Sequence, residues 1–275
     1  MPPTVPDSPA PGLALMGNYV RDVAAPLERV LENALDWEHL PWLHHQDFSS
    51  VDLHEAGDWG WQARVGWQPP ERGEMEFELL LNHDLNAWVS RNSDKIMAGE
   101  IWSFAKAVRP TRTRVDIQFW APEAALPHAE HLVTQYTILY KRLWDQDEEM
   151  SRARFLRLNE NAVRRKPRAK KLQLGTLDEL KQRLPLVVEM NDQRYRLVQL
   201  NGDIVVHSAL CPHLLGPLEN TEIVAGCITC PWHGYRYDVR TGASVDEHDL
   251  KMFPPPELRI DSKTKMVELR MAAKA

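Results

Sequence analysis

Cys211-Pro212-His213 and, after sixteen intervening residues, Cys230-Pro231-Trp232-His233-Gly234 form the stretch on which the reading of this chain turns. Each piece carries one cysteine and one histidine around a proline, which implies two loops closing on one metal centre. Two thiolates and two imidazoles can hold a single tetrahedral zinc. Zinc ligands within a pair usually stand about two to four residues apart, and the single residue between Cys211 and His213 is tight for that. The spacing suits a centre of two irons, with each loop giving its cysteine to one iron and its histidine to the other.

Cys-Pro-His followed by Cys-Pro-Trp-His-Gly, with a return at Thr241-Gly242, resembles the Rieske domains of ring-hydroxylating oxygenases and Rieske ferredoxins over Leu172 to Leu269. The resemblance implies a 2Fe–2S cluster with Cys211 and Cys230 on one iron and His213 and His233 on the other. Respiratory Rieske proteins add a cysteine to each loop and join them by a disulfide. Leu215, Gly216 and Trp232 stand in that region here, so the low-potential, oxygenase type is implied. Cys227 is the third of three cysteines. It makes a Cys-x-x-Cys pair with the committed Cys230 and is expected to be a buried strand residue, free of disulfides in a reducing cytoplasm.

Upstream, Pro26 followed by Leu27, Val30, Leu31 and Ala34 opens a helical pattern. Pro41 is expected to end or kink that helix at Leu40, with His39 in its last turn and His44 returning from beyond the break. By themselves, two neighbouring histidines are more often structural side chains than ligands. However, Asn33-x-x-Asp36-x-x-His39-x-x-x-x-His44 resembles the mononuclear iron motif of Rieske oxygenase catalytic domains. The resemblance implies that His39 and His44 belong to a 2-His-1-carboxylate triad on Fe(II) with positions left open for dioxygen. It implies further that Asp36 links a catalytic histidine to a cluster histidine. His45 is the alternative to His44.

The carboxylate must come from elsewhere. Trp59–Trp67, Glu74–Leu81, Glu100–Val108 and Arg114–Trp120 read as strands. In the second of these, apolar residues alternate with glutamates, as in a sheet with one buried face. Helical periodicity returns from Pro127 to Asn161, where Asp147 falls inside an apolar stripe with Leu143 and Trp144. A carboxylate there is costly unless paired or metal-bound. Arg142 or Arg154 would supply an ion pair; the other reading is the third iron ligand, with Asp145 as rival. In the oxygenase family that ligand sits on a long closing helix. The fold class expected is therefore α+β: a helix-grip (START/Bet v 1-like) catalytic domain with an antiparallel sheet and a long C-terminal helix, followed by a small antiparallel all-β Rieske domain. For the latter, Thr176-Leu-Asp-Glu179 reads as a capped helix start, with strands at Leu186–Met190, Tyr195–Leu200, Ile204–Ser208, Ile223–Ile228 and Tyr235–Val239. Both histidines are expected at one tip, with Gly216 and Gly234 where the loops approach the cluster.

The 275 residues divide on this reading into a disordered proline-rich tail (1–12), a mononuclear iron domain (13–163), a basic linker (164–171) and the Rieske domain (172–271). A charged content of 26% and a net charge of −6 give no general attraction to nucleic acid or anionic membrane. No apolar run approaches the ~18 residues of a span, and the start does not read as a secretory signal; a cytoplasmic location is expected. In the oxygenase family the Rieske domain comes first, so the order here is reversed. The resemblance implies an oxygenase that hydroxylates or oxidatively dealkylates a small, apolar organic molecule with O₂. It also implies an NAD(P)H-dependent reductase or a ferredoxin as electron donor, and a homotrimer. Trp59, Trp61, Trp67, Trp88, Trp102 and Trp120 are candidates to line an apolar pocket. Two other readings stay open: a Rieske ferredoxin-like carrier with an iron-free helix-grip domain, and a zinc-stabilised binding protein.

Overall fold

The computed structural model describes residues 3–92, 99–163 and 169–271. Most of the basic linker, residues 164–168, lies outside them. The chain forms two compact units, Met1–Phe155 and Leu156–Ala275.

In the first unit, β1 (Leu13–Val23) is followed by helices α1 (Leu27–Leu35) and α2 (Leu40–Leu43). Six further strands follow: β2 (Phe48–Gly57), β3 (Gly60–Trp67), β4 (Glu74–Asn82), β5 (Ala87–Asn92), β6 (Glu100–Arg109) and β7 (Arg112–Pro122). They make one antiparallel sheet in the order β1-β7-β6-β5-β4-β3-β2, and the long helix α3 (Ala129–Val163) comes after it, its residues from Leu156 onward belonging to the second unit. Two short helices between the first two strands and a long closing helix make this a helix-grip fold of the START/Bet v 1 kind. Strand periodicity sorts the side chains. Met75, Leu79 and Leu81 of β4 join Trp61, Trp88, Ile117, Phe119 and Trp144 in the main core, while Leu80 between them faces the other way. On β1, a Cβ at Gly17 would lie 2.8 Å from a methyl of Val133, so glycine is what lets α3 lie close to that strand. Strands β1 and β2 escape the sequence reading because their partly exposed residues mix polar and apolar types on both faces; β5 is mostly buried but too short, and too polar at its end, to show a period.

The N-terminal segment departs from the expectation of disorder. Val5 packs with Leu80, Val89, Trp102, Trp59, Phe104 and Trp120 on the outer face of the sheet. The Pro6 carbonyl accepts from Asn82 (3.2 Å) and the Ala10 amide donates to Glu100 (3.1 Å). Apolar surface on that face, with Trp102 fully buried, offsets the entropy of ordering a proline-rich chain that has little to lose. Trp59, Trp102 and Trp120 therefore belong to this outer cluster, whereas Trp61 and Trp88 lie in the main core.

The second unit holds three three-stranded antiparallel sheets. Strands β9 (Leu186–Met190), β10 (Gln193–Leu200) and β11 (Asp203–Ser208) form one, in the order β11-β10-β9. Strands β12 (Ile223–Val224), β13 (Cys227–Thr229) and β14 (Arg236–Asp238) form another. Strand β8 (Lys171–Thr176) pairs with β16 (Met266–Arg270), which also pairs with β15 (Glu257–Ile260). Helix α4 (Leu177–Arg183) opens with the full capping box of Thr176 and Glu179. The single strand expected over Ile223–Ile228 is instead a hairpin. Ala225 and Gly226 both take positive φ (52° and 82°), the backbone of a two-residue turn that reverses the chain. Cys227 consequently opens β13 half-buried rather than fully buried. Among the described residues no helix is long and apolar enough to cross a membrane.

Candidate metal centres

Helix α1 ends at Leu35, short of the expected Leu40. Asp36 leaves helical geometry (φ −87°, ψ 85°) and its amide turns back to the Asn33 carbonyl. Pro41 sits in the first turn of α2, where a missing N–H costs nothing. His39 is the N-cap of that one-turn helix and His44 its C-cap. One turn thus brings the two imidazoles edge to face, with Nε2 atoms 3.2 Å apart. From α3, Asp147 Oδ1 reaches 3.0 Å from His44 Nε2 and 3.4 Å from His39 Nε2. Three atoms that share a metal at about 2.1 Å, with angles between octahedral and tetrahedral, stand roughly 3.0–3.4 Å apart. This cluster has that spacing.

All three side chains are buried. Burial pushes the Asp147 carboxyl up, but facing His44 and His39 and the Asn33 hydrogen bond outweigh it and hold the group below the usual carboxylate range. Asn33 Nδ2 donates to Asp147 Oδ1 at 3.2 Å. The outward nitrogens also face partners: His44 Nδ1 lies 2.7 Å from Gln146 Oε1, and His39 Nδ1 lies 3.7 Å from Asp36 Oδ2. Such outer contacts fix ring orientation in metal sites. Neither candidate arginine pairs with Asp147. Arg142 holds the buried Asp47, and Arg154 holds Glu32. Asp145 is exposed and paired with Arg21 (2.6 Å) and Lys141 (3.0 Å), and His45 is exposed, its Nδ1 3.0 Å from the Trp42 carbonyl. Gln146 was not singled out from the sequence. Its only signal is adjacency to Asp147.

In the second unit the two cysteine loops share one backbone design. The Cys211 amide donates to the Gly216 carbonyl, and the Cys211 carbonyl accepts from Leu215. The Cys230 amide donates to the Tyr235 carbonyl, and the Cys230 carbonyl accepts from Gly234. Leu215 and Gly234, at matched positions, both take positive φ (63° and 73°). The buried thiols meet: a hydrogen bond between Cys230 and Cys211 lowers the Cys211 thiol and raises that of Cys230. The His213 and His233 rings stand 4.6 Å apart, nearly perpendicular. A Cβ on Gly216 would fall 2.6 Å from Cys230 Sγ, so the loops close too tightly for any other residue there. Two thiols and two imidazoles in one buried cradle fit the donor set of a 2Fe–2S centre of this kind.

Residues 170–254 match the family described as "Rieske [2Fe-2S] domain". This part of the chain is a Rieske domain. Its 67-residue match to apoptosis-inducing factor 3 of Mus musculus and of Homo sapiens is 34% identical. The match covers 24% of this chain and 10% of those proteins, so the chain spans only a small part of their length. The ferredoxin of carbazole 1,9a-dioxygenase from Nocardioides aromaticivorans IC177 is 24% identical; the match covers 38% of this chain and all of that one (TM-score 0.32). The Zhui aromatase/cyclase from Streptomyces sp. R1128 is 12% identical, over 52% of this chain and 96% of that one (TM-score 0.42).

The Rieske domain adds features that the motif does not announce. Tyr237, fully buried, places its hydroxyl 3.4 Å from Cys211 Sγ. Burial and that thiol push the Tyr237 pKa up, so the phenol remains a donor. His213 stacks on Tyr235 (4.5 Å), which stacks on His248 (3.7 Å). The expected tip is accordingly covered: His233 is 4% exposed and His213 half-buried.

Proposed function

We propose that this protein is a Rieske-type non-haem iron oxygenase acting on a small, largely apolar organic molecule. The Rieske domain itself implies iron–sulfur electron transfer. What carries the reading further is the convergence of His39, His44 and Asp147 within 4.8 Å of one another in the interior of the other unit. A helix-grip domain that only enclosed a ligand would gain nothing from burying two imidazoles and an ionised carboxylate, whose desolvation is costly.

In this reading Cys211, Cys230, His213 and His233 would hold the cluster, and His39, His44 and Asp147 would hold Fe(II). Bound there, the cluster supplies single electrons and the ferrous ion supplies positions for O₂ beside the substrate. The chain's own residues do the rest. Asp147 brings one negative charge, and Asn33 directs its oxygen. Gln146 holds the His44 ring by its Nδ1, and Asp36 faces Nδ1 of His39 at 3.7 Å. Asp36 is also the residue proposed to link His39 to a cluster histidine of a neighbouring subunit in a head-to-tail homotrimer. A reductase or ferredoxin using NAD(P)H would be the electron donor.

The test is iron and acid-labile sulfide per chain. The expected result is about three irons and two sulfides, falling to about two irons in Asp147→Ala with sulfide unchanged. Two irons in both proteins, with no third taken up from added Fe(II), would leave a ferredoxin-like carrier instead. In Asp36→Ala both metal sites are expected to fill while coupled turnover nearly vanishes. Full turnover there would remove Asp36 from the electron route.

A further inference from the structure

The two ligand loops have no covalent tie, since all three cysteines are unbonded and Cys227 lies in β13. They meet instead around one indole. Trp232, from the second loop, is 5% exposed, and its ring carbons lie 3.3 Å from where a Cβ on Gly216 of the first loop would stand. A third side chain reaches both loops. Arg157 donates from its guanidinium to the carbonyl of Leu215, and its central carbon lies 5.5 Å from the centroid of the Trp232 ring. The carbonyl is presented by a left-handed residue, Leu215 at φ 63°, a conformation that is unfavourable for a non-glycine side chain and needs outside support. This contact comes from outside the motif residues 211–234, from a residue more than fifty positions upstream of either loop.

We propose that Arg157 is the brace of the Rieske loops. Its planar guanidinium binds the first loop through a carbonyl and the second through an indole face, two recognition modes that lysine cannot combine. It also fixes one positive charge beside the cluster, which favours the reduced, more negative state. The proposal depends on the cluster alone and stands whether or not the other unit binds iron.

The test uses the full cluster-loaded chain and its Arg157→Lys and Arg157→Gln variants. Two quantities are read: bleaching of the visible absorbance by an iron chelator, and the midpoint potential from a spectroelectrochemical titration. Arg157→Lys keeps the charge and loses the fork, so it is expected to bleach about tenfold faster at an almost unchanged potential. Arg157→Gln loses both. It is expected to bleach at least as fast and to shift the reduction equilibrium about tenfold towards the oxidised state, ~59 mV for one electron. The charge-retaining lysine variant carries the brace test if the glutamine variant fails to fold. Wild-type bleaching in Arg157→Lys overturns the brace. A wild-type potential in a folded Arg157→Gln overturns the role of its charge.

Discussion

Cys211 and Cys230 each begin a short loop closed by the same pair of backbone hydrogen bonds, with a left-handed residue at the same place in each. His39, His44 and Asp147 share no such frame. Two of them flank a single helical turn, and the third arrives on α3 beside Gln146, which lies 102 residues from the His44 it bonds. The first centre is written into local backbone geometry and the second is assembled by packing. Local backbone hydrogen bonds cost little loop-closure entropy, so a few residues at fixed spacing specify the cluster loops. The triad depends on α3 lying in register against the α1–α2 region. That register is set by scattered contacts: Gly17 against Val133, Arg21 with Glu148, Arg142 with Asp47, and Arg154 with Glu32.

If the contrast holds, the two centres should fail separately and for different reasons. The largest effect is expected for Gly216→Val. Its Cβ would fall 2.6 Å from Cys230 Sγ, and backbone-framed loops cannot spread to make room, so visible absorbance and labile sulfide should be lost. Uptake of Fe(II) by the proposed triad should survive. Loss of both together would show that the two centres are not independent.

A smaller effect is expected for Gln146→Leu, which removes the partner of His44 Nδ1 and leaves every proposed ligand in place. Outer-contact changes of this kind cost about 10–100-fold in metal affinity. Fe(II) titration should show that loss, with the cluster untouched. Unchanged affinity would mean that packing alone orients the ring.

The smallest effect is expected for Tyr237→Phe. A neutral hydrogen bond to a cluster sulfur contributes about 1 kcal/mol net, so its loss should move the reduction equilibrium about fivefold towards the oxidised state. Cluster content should not change. A midpoint potential equal to that of the wild type would show that the 3.4 Å contact carries no hydrogen bond to the sulfur.

Much of this was legible residue by residue. Thr176 and Glu179 announced a capping box that forms as read. The alternation of Met75, Leu79 and Leu81 announced one face of β4. Other features were not legible. Pro41 read as a helix stop but begins α2, because a proline in a first turn and a proline after a last turn look alike in sequence. The Ala225–Gly226 reversal lacked the usual asparagine or aspartate. The N-terminal segment read as disordered because composition cannot show that an apolar patch on the outer face of the sheet awaits it.

The sequence by itself determined the two-loop cysteine and histidine set, the alternation of the main strands, and the His39–His44 pair with Asp147 on an apolar helical stripe. Spacing and periodicity are local properties, and local hydrogen bonding enforces them. Only the tertiary structure decided that Asp147 rather than Asp145 meets the histidines, that Arg142 and Arg154 are engaged elsewhere, and that Arg157 and Tyr237 serve the cluster loops. Those outcomes depend on which face of α3 each residue occupies and on strands far away in the chain, and so on packing that no stretch of sequence carries alone.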